Sequence, residues 1–559
     1  MPSARSRIVR RNSLQLTPRR QLLVVTLAFL VVRLLLTIPR TGPVVVADEL
    51  GYLANARVLA GGVDGQLSTA PFYHGGYSLL LAPIVAVFHD PETSYRIVLV
   101  LNAFLAATLA PLVYLLLTRC FSVRSQTAVW PALAAAAYPS VTIYTQVAMS
   151  ENLLLPLTVL WLLCSGLMLR ADVPRRQLVL AAATAACAAW LWATHGRMIV
   201  VVGLTAVLFA VMLWRRTELR PAVVGLGVLA VGLVAAHLLD HFLVSRNWGG
   251  HAKSEVSGRL STVESVGGIG AFLRNLVGQS WYLAVATLGV LLAAALPFDW
   301  RSVRLRFTPA RAVLALVVLT GLGLLVESAL SFRTTDRPDM LIYGRYTDVV
   351  VPPLLALALV RLNETRRIRV GIVMVLLVVA TAATALLRTT VDPYGLANRW
   401  NVASLPAPTF QLGPKVLVLA RAVALVCLVA VVVVRRRVPF AAAPLVLLLF
   451  VPTTGVIERN PVLRAQSVFY PAGWRSPESA AAGAHTIAFD TGGAGNVYVY
   501  QWFTPKSRLV LFSGKTQAPP TTLVFSSPQW ASSHQRLNPK ALWADPSRDA
   551  ELFRVKRGG

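Results

Sequence analysis

With 559 residues, 56% of them hydrophobic and only 14% charged, the chain is too apolar for a water-soluble globular protein, in which about a quarter of residues are charged. The formal charge of +29 invites a nucleic-acid reading. However, the excess is almost wholly arginine set in short links between apolar runs, which is the topology signal of a membrane protein.

The basic segment 1–20 leads into an apolar run at 21–39. That run is too long for the core of a signal peptide and lacks a small-x-small cleavage site, so it reads as a retained anchor. About a dozen further runs can each cross some 30 Å of hydrocarbon. They lie at about 97–118, 126–143, 151–169, 178–193, 198–214, 221–243, 280–297, 311–330, 347–360, 370–387, 415–434 and 438–453. The expected class is an all-α polytopic membrane protein with about thirteen transmembrane helices. Lys and Arg crowd alternate links several-fold more densely than the loops between them. This puts the N-terminus in the cytoplasm and the loops 40–96, 244–279, 331–346 and 388–414 outside.

Inside the first outer loop, residues 48–59 show helical periodicity, and 76–88 is apolar but short for a span. Both suit helices lying along the membrane surface. The tail, 454–559, changes character. Strand-like runs at 486–489, 508–512 and 521–525, separated by Gly, Pro and Ser, predict a small α/β domain outside the membrane. Three parts follow: a cytoplasmic segment 1–20, a transmembrane part 21–453 and an extracytoplasmic domain 454–559. The glycine cluster 491–495 can cradle a phosphate, but a simple turn after a strand explains it better. Cys120, Cys164, Cys187 and Cys427 lie in or beside apolar runs, which leaves neither a disulfide framework nor a Cys-based metal site. The weight of Arg, Ala and Val fits a GC-rich bacterial genome.

The sharpest local signal is Asp48-Glu49, two adjacent carboxylates where a surface helix begins just after the first span. Such a pair also caps helices. Charges within spans are costly and mark candidate sites. Arg33, Asp240, Glu327 and Arg421 all fall in the outer halves of their spans, which suggests a polar cavity opening outward. Where outer loops meet spans stand Glu151, His195 and Arg197, then Tyr343, Arg345 and Tyr346. An Arg at this depth can fork onto a phosphate or anchor to headgroups. His74 and Tyr52 complete the candidate set. No HExxH, CxxC, P-loop or nucleophile elbow is present.

The stretch Asp48–Gly61 resembles the first outer loop of the GT-C superfamily of membrane glycosyltransferases, with Asp, Glu, Tyr52, Ala56, Arg57 and Gly62 or its neighbour at the motif positions. Residues 73–88 are similar to the segment that follows it, and Gly344-Arg345-Tyr346 before a Pro-containing span is similar to another recurrent turn. The overall arrangement resembles the aminoarabinose transferases of lipid A and the protein O-mannosyltransferases. The resemblance implies transfer of a sugar from a polyprenyl-phosphate donor to an envelope glycan, lipid or protein acceptor at the outer face of the cell membrane. It implies Asp48 as general base with inversion, Glu49 orienting Asp48 or the acceptor, and Arg197, Arg345 and Arg33 near the donor phosphate. Several relatives carry a basic residue where this chain has His74-Gly75-Gly76, so a donor contact there does not transfer. No cofactor is required by these residues. Acidic loop residues can hold a divalent cation through oxygen ligands, but no complete ligand set is visible. A secondary transporter or a polymerase of lipid-linked glycans is the alternative. The odd span count, the lack of an internal repeat and the outer loops count against a transporter.

Overall fold

A computed structural model describes residues 17–45, 47–68, 70–216, 218–250, 266–295, 308–332, 338–364, 373, 375–379, 381, 399–406, 414–438, 440–493, 497–515 and 517–556. The basic segment 1–16 and most of the expected span 370–387 lie outside the described residues.

The chain is mostly helical. The first helix, α1 (Pro18–Thr37), is followed by α2 (Asp48–Leu59) and α3 (Ser78–Val87), at the two places where surface helices are expected. Next, α4 (Pro91–Ala107) starts from Asp90, whose carboxylate accepts the Thr93 amide at 2.7 Å, with Pro91 in the first turn. These two devices satisfy and pre-set a helix start. After Thr108 the chain continues as Leu109–Leu115 and a wider π turn, Leu116–Cys120. Then come α5 (Ser125–Ala136), α6 (Pro139–Tyr144), α7 (Glu151–Met168), α8 (Pro174–Thr194), α9 (Ile199–Trp214) and α10 (Leu219–Asn247). Further along are α11 (Val266–Ala286), the short α12 (Val290–Ala295), α13 (Pro309–Ser331), α14 (Val351–Glu364), α15 (Pro414–Arg437) and α16 (Ala442–Ile457).

Among the described residues, eight helices are long and apolar enough to cross a membrane, and three more apolar helices are shorter. The chain is a multi-pass membrane protein. Many of its large apolar side chains point outward, including Val231, Leu238, Val426 and Leu448, as hydrocarbon around the protein requires.

Two expected spans take a different form. The run 126–143 is two helices, because Pro139 pushes Tyr138 into an extended backbone and ends α5. The run 280–297 is the tail of the longer α11, broken at Leu288 and Gly289, both with positive φ, before α12. Residues 266–279, expected in a loop, are therefore helical. The last apolar helix, expected to end at 453, runs to Ile457.

Beyond a short helix, α17 (Leu463–Phe469), the tail forms a five-stranded sheet. Its strands are β1 (Thr486–Asp490), β2 (Arg508–Phe512), β3 (Leu523–Ser526), β4 (Lys540–Asp545) and β5 (Ala550–Arg554), in the order β2-β1-β3-β5-β4. The first three match the expected strands and run parallel, whereas β4 and β5 form an antiparallel extension the sequence reading did not separate. At the end of β1, Asp490 accepts the amides of Gly492 and Gly514, both at 2.9 Å, and the Ser526 hydroxyl at 2.6 Å. The described part of the glycine cluster is thus a turn held by a carboxylate, and 494–496 lie outside the described residues. The sheet region leans on the first loop. Tyr470 donates to the Pro43 carbonyl at 2.7 Å, and the Gln66 amide donates to the Gln501 side chain at 2.7 Å.

Candidate active site

The site begins with α2. Ala47, just before the helix, has φ of 73° and ψ of −51°, the rare and strained γ-turn conformation. It turns the chain so that Asp48 opens the helix with its side chain partly exposed. One turn on, Gly51 leaves no side chain on the same face. A Cβ there would fall 2.0 Å from Tyr73 Cδ2. The Tyr73 ring therefore crosses the helix where only glycine permits it, and its hydroxyl donates to Asp48 Oδ1 at 3.0 Å. Asn55, a turn further along, holds the Tyr73 carbonyl at 2.8 Å. Burial and the neighbouring Asp48 carboxylate push the Tyr73 phenol well above its usual range, so it stays a donor.

Three other segments converge on Asp48. Glu151 starts α7 and is fully buried. Arg345 follows Gly344 in a short turn before α14. A Cβ on Gly344 would fall 1.8 Å from Tyr282 Cε1, and the Gly344 amide donates to the Asn401 carbonyl at 2.8 Å. Arg345 donates from Nε to Glu151 Oε1 at 2.6 Å, from Nη2 to Glu151 Oε2 at 3.2 Å, and from Nη1 to Asp48 Oδ2. Burial alone would loosen the guanidinium's proton, but Glu151 and Asp48 outweigh it and hold Arg345 well above its usual range. Arg197, after α8, donates from Nη2 to Glu151 Oε1 at 2.8 Å, and its guanidinium lies 4.5 Å over the Tyr346 ring. Its Nε and Nη1 have no partner among the described residues. The result is a neutral four-charge cluster, Asp48–Arg345–Glu151–Arg197. Its arginines and Glu151 are buried, while the Asp48 side chain is 27% exposed.

The other candidates surround this cluster or fall away from it. Tyr52 donates to Ser150 Oγ at 2.9 Å, next to Glu151. His195 Nδ1 faces the Arg197 amide at 3.4 Å, and its ring meets Tyr346 edge-on. Tyr343 packs on Tyr346 with centroids 5.2 Å apart. His74 pairs with Asp240 of α10 at 2.7 Å, one residue beyond Tyr73.

Arg33 and Glu49 turn away from Asp48. Arg33, buried in α1, donates to the Ala136 carbonyl at 2.7 Å and to Thr142 at 3.3 Å, so it braces α5 and α6. Glu327 sits on α13, which packs against the segments carrying Arg345 and Arg197. Glu49 points away from Asp48, since successive residues of an α-helix lie about 100° apart around its axis. Its Oε1 accepts the Val44 and Val45 amides, both at 2.8 Å, and its Oε2 accepts the Tyr95 hydroxyl at 2.7 Å and the Ala148 amide at 2.6 Å. Burial pushes the Glu49 carboxyl up and these bonds only partly offset it. With all four bonds directed into the protein, Glu49 is not in position to orient an acceptor; it fastens the loops on either side of the cluster.

The sequence reading missed Tyr73 as a partner of Asp48. Its signal was present: a lone glycine inside a helix marks a close approach, and Gly51 is one.

An apolar groove of about 780 Å³ runs between α3, α8 and α10, lined by Leu79, Trp190, Ala193, Val231 and Leu239 among others. At Ala193 and Leu239 the groove meets the loop that carries Gly75 and Gly76. The Gly76 amide donates to the Ala193 carbonyl at 2.6 Å, and Gly75 lies against Leu239. No cluster of three or more His, Cys, Asp or Glu side chains suited to a metal ion occurs among the described residues. Asp48 and Glu151 share Arg345 between them.

No protein-family model and no curated protein sequence matches the chain. Solved structures do. ArnT from Cupriavidus metallidurans, bound to undecaprenyl phosphate, superimposes with a TM-score of 0.53 over 95% of this chain and 97% of its own, at 15% identity. The same protein in the apo state gives 0.53 over 96% and 98%, at 16% identity. The chain has the GT-C fold. In this GT-C fold the Asp48 cluster sits at the junction of the first loop with α7, α8 and the turn before α14.

Proposed function

We propose that the chain is a glycosyltransferase that moves a sugar from a polyprenyl-phosphate donor to an acceptor of the cell envelope, a glycan, lipid or protein, at the outer face of the membrane. The observation that carries this reading is the Asp48 cluster: one partly exposed carboxylate held by a buried arginine, which a buried glutamate joins to a second buried arginine. The fold shared with a protein solved with undecaprenyl phosphate adds support. In the proposed topology the N-terminus is cytoplasmic, the transmembrane part spans 21–453 and the tail 454–559 is extracytoplasmic.

The carrier's isoprenoid chain would lie along the groove, which offers hydrocarbon and almost no polar surface. Its phosphate would meet Arg197 once the groups covering that buried guanidinium move aside; Nε and Nη1 have no hydrogen-bond partner among the described residues. Arg345 is committed to Glu151 and Asp48, so it serves chiefly to position them. Asp48 takes the proton of the acceptor hydroxyl as that oxygen bonds to the anomeric carbon. The bond from that carbon to the phosphate oxygen breaks, and its electron pair leaves with the polyprenyl phosphate. Attack opposite the leaving group inverts the anomeric centre. The charge gained by the leaving phosphate is stabilised by fixed guanidinium groups in a water-poor cleft. Tyr73 fixes the rotamer of Asp48 by its hydrogen bond. A divalent cation at Asp48 is compatible with the chemistry of a carboxylate, and it would have to share that oxygen with Arg345; no step above depends on one.

The test is transfer measured with purified protein and a polyprenyl-phosphate-linked sugar. Asp48→Asn should reduce the rate about 10²- to 10⁴-fold, the usual loss of a general base, with the protein still folded. Full activity in that variant would remove Asp48 from this role.

A further inference from the structure

The face of the protein remote from the Asp48 cluster carries a polar site of its own. Glu151 opens α7, and Leu167 lies about 24 Å further along the same helix axis. The next helix, α8, packs against α7 and returns. Its first turn, with Arg176, therefore lies at the remote end, and the turn with Arg197 lies at the near one.

At the remote end a pocket of about 420 Å³ is lined by Leu115, Arg119, Leu163, Leu167, Arg170 and Arg176. Its three arginines come from three segments: the π turn Leu116–Cys120, the link after α7 and the first turn of α8. All three are exposed. No Asp or Glu lines the pocket, and none of these arginines has an ion pair among the described residues. The bias of Lys and Arg towards one side of a membrane accounts for arginine in these links. It does not account for three of them meeting at one hollow, where like charges repel without a counter-ion.

The backbone beside the pocket is specialised. The π turn is a rare form that recurs at functional sites, and Ser122, just after it, has φ of 57°. Arg170 clasps this turn, donating from Nη2 to the Cys120 carbonyl at 2.8 Å and from Nη1 to Ser122 Oγ at 3.2 Å. Those bonds fix the plane of its guanidinium. The side chains of Arg119 and Arg176 make no hydrogen bond among the described residues, so their charge is available.

We infer that this pocket binds the headgroup of an anionic phospholipid in the leaflet opposite the Asp48 cluster. Depth selects a lipid over a soluble anion. The apolar stretch Pro91–Cys120 ends here, so guanidinium groups and leucines share one pocket at the boundary of the hydrocarbon. The arginines meet the lipid phosphate, and exposed Leu115 meets the start of the acyl chains. Basic pockets between helices at a membrane face hold headgroups in this way. The site does not depend on the transfer reaction proposed above.

The test uses the full-length protein in mixed micelles of a neutral detergent, with phosphatidylglycerol as the probe and phosphatidylcholine as the control. The melting temperature should rise saturably with the fraction of phosphatidylglycerol and stay level with phosphatidylcholine. Arg119→Gln and Arg176→Gln should each raise the half-saturating fraction about fivefold, and together about twenty-five-fold, the weight of an arginine at an anionic surface. Arg436→Gln combined with Arg437→Gln removes two exposed charges at the end of α15, outside the pocket, and should leave that fraction unchanged. The pocket arginines are exposed, so their variants should melt as the wild type does without lipid. An equal rise with phosphatidylcholine, or an undiminished response in the pocket variants, would overturn the assignment. So would equal weakening by the α15 pair, which would make the effect one of net charge. A saturable rise with inorganic phosphate over chloride at equal ionic strength, without anionic lipid, would replace the lipid with a soluble anion.

Discussion

Arg345 meets Glu151 through both carboxylate oxygens, at 2.6 and 3.2 Å, although 194 residues separate them. This two-point contact fixes the guanidinium plane, so the third nitrogen is presented to Asp48 in one orientation. A lysine is a point charge and cannot make the same bridge. Arg345→Lys should therefore lose about a hundredfold in transfer, the scale of an ångström-level misplacement, at nearly unchanged donor affinity. Glu151→Gln leaves two buried guanidinium groups with one carboxylate fewer. It should destabilise the protein by about 3–5 kcal/mol, read as a fall in melting temperature in detergent.

Gly51 tests the Tyr73 geometry from the opposite side. Tyr73→Phe removes one hydrogen bond from Asp48 and should slow transfer about tenfold, within the range for a bond to a charged group. Gly51→Ala keeps the hydroxyl but places a methyl where the ring now lies. It should cost about 1–3 kcal/mol by overpacking and slow transfer more than Tyr73→Phe does. Combining Gly51→Ala with Tyr73→Ala should restore the melting temperature towards that of Tyr73→Ala alone. Simple additivity of the two losses would mean that the residues do not touch.

Ala47 stores backbone strain immediately before Asp48. Ala47→Gly should raise stability by about 1 kcal/mol, because glycine adopts positive φ without a Cβ clash. Ala47→Val should lower the melting temperature instead. Equal melting temperatures for all three proteins would show that the turn is unstrained.

Glu49 and Asp48 are neighbours in sequence with opposite expected phenotypes. In Glu49→Gln an amide NH₂ faces donors, and each orphaned donor costs about 1–3 kcal/mol. The folded fraction should fall, while activity per folded molecule stays far above that of Asp48→Asn. Equal inactivity per folded molecule would give Glu49 a part in the chemistry.

Much of the arrangement is legible locally. The two surface helices are signalled by a carboxylate pair with helical periodicity and by an apolar run too short to span. Both appear where expected, as Asp48–Leu59 and Ser78–Val87. The parallel strands of the tail were equally visible. Broken helices were harder to see. Pro139 ends a helix within an apolar run, and hydropathy alone cannot tell one long helix from two short ones. Arg33 looked like a site residue because a charge in a span demands a partner. The structure supplies a carbonyl and a threonine hydroxyl instead.

The sequence by itself determined that this chain lives in a membrane, that α2 follows the first span, and that Asp48 opens that helix. Each rests on composition or on residues within a few turns of one another. Only the tertiary structure decided that Arg345 and Arg197 share Glu151, that Tyr73 crosses Gly51 to reach Asp48, and that Glu49 turns into the protein. The reason is geometric: a buried charge must find a counter-charge, but helix packing selects which one among distant residues, and no local pattern records that choice.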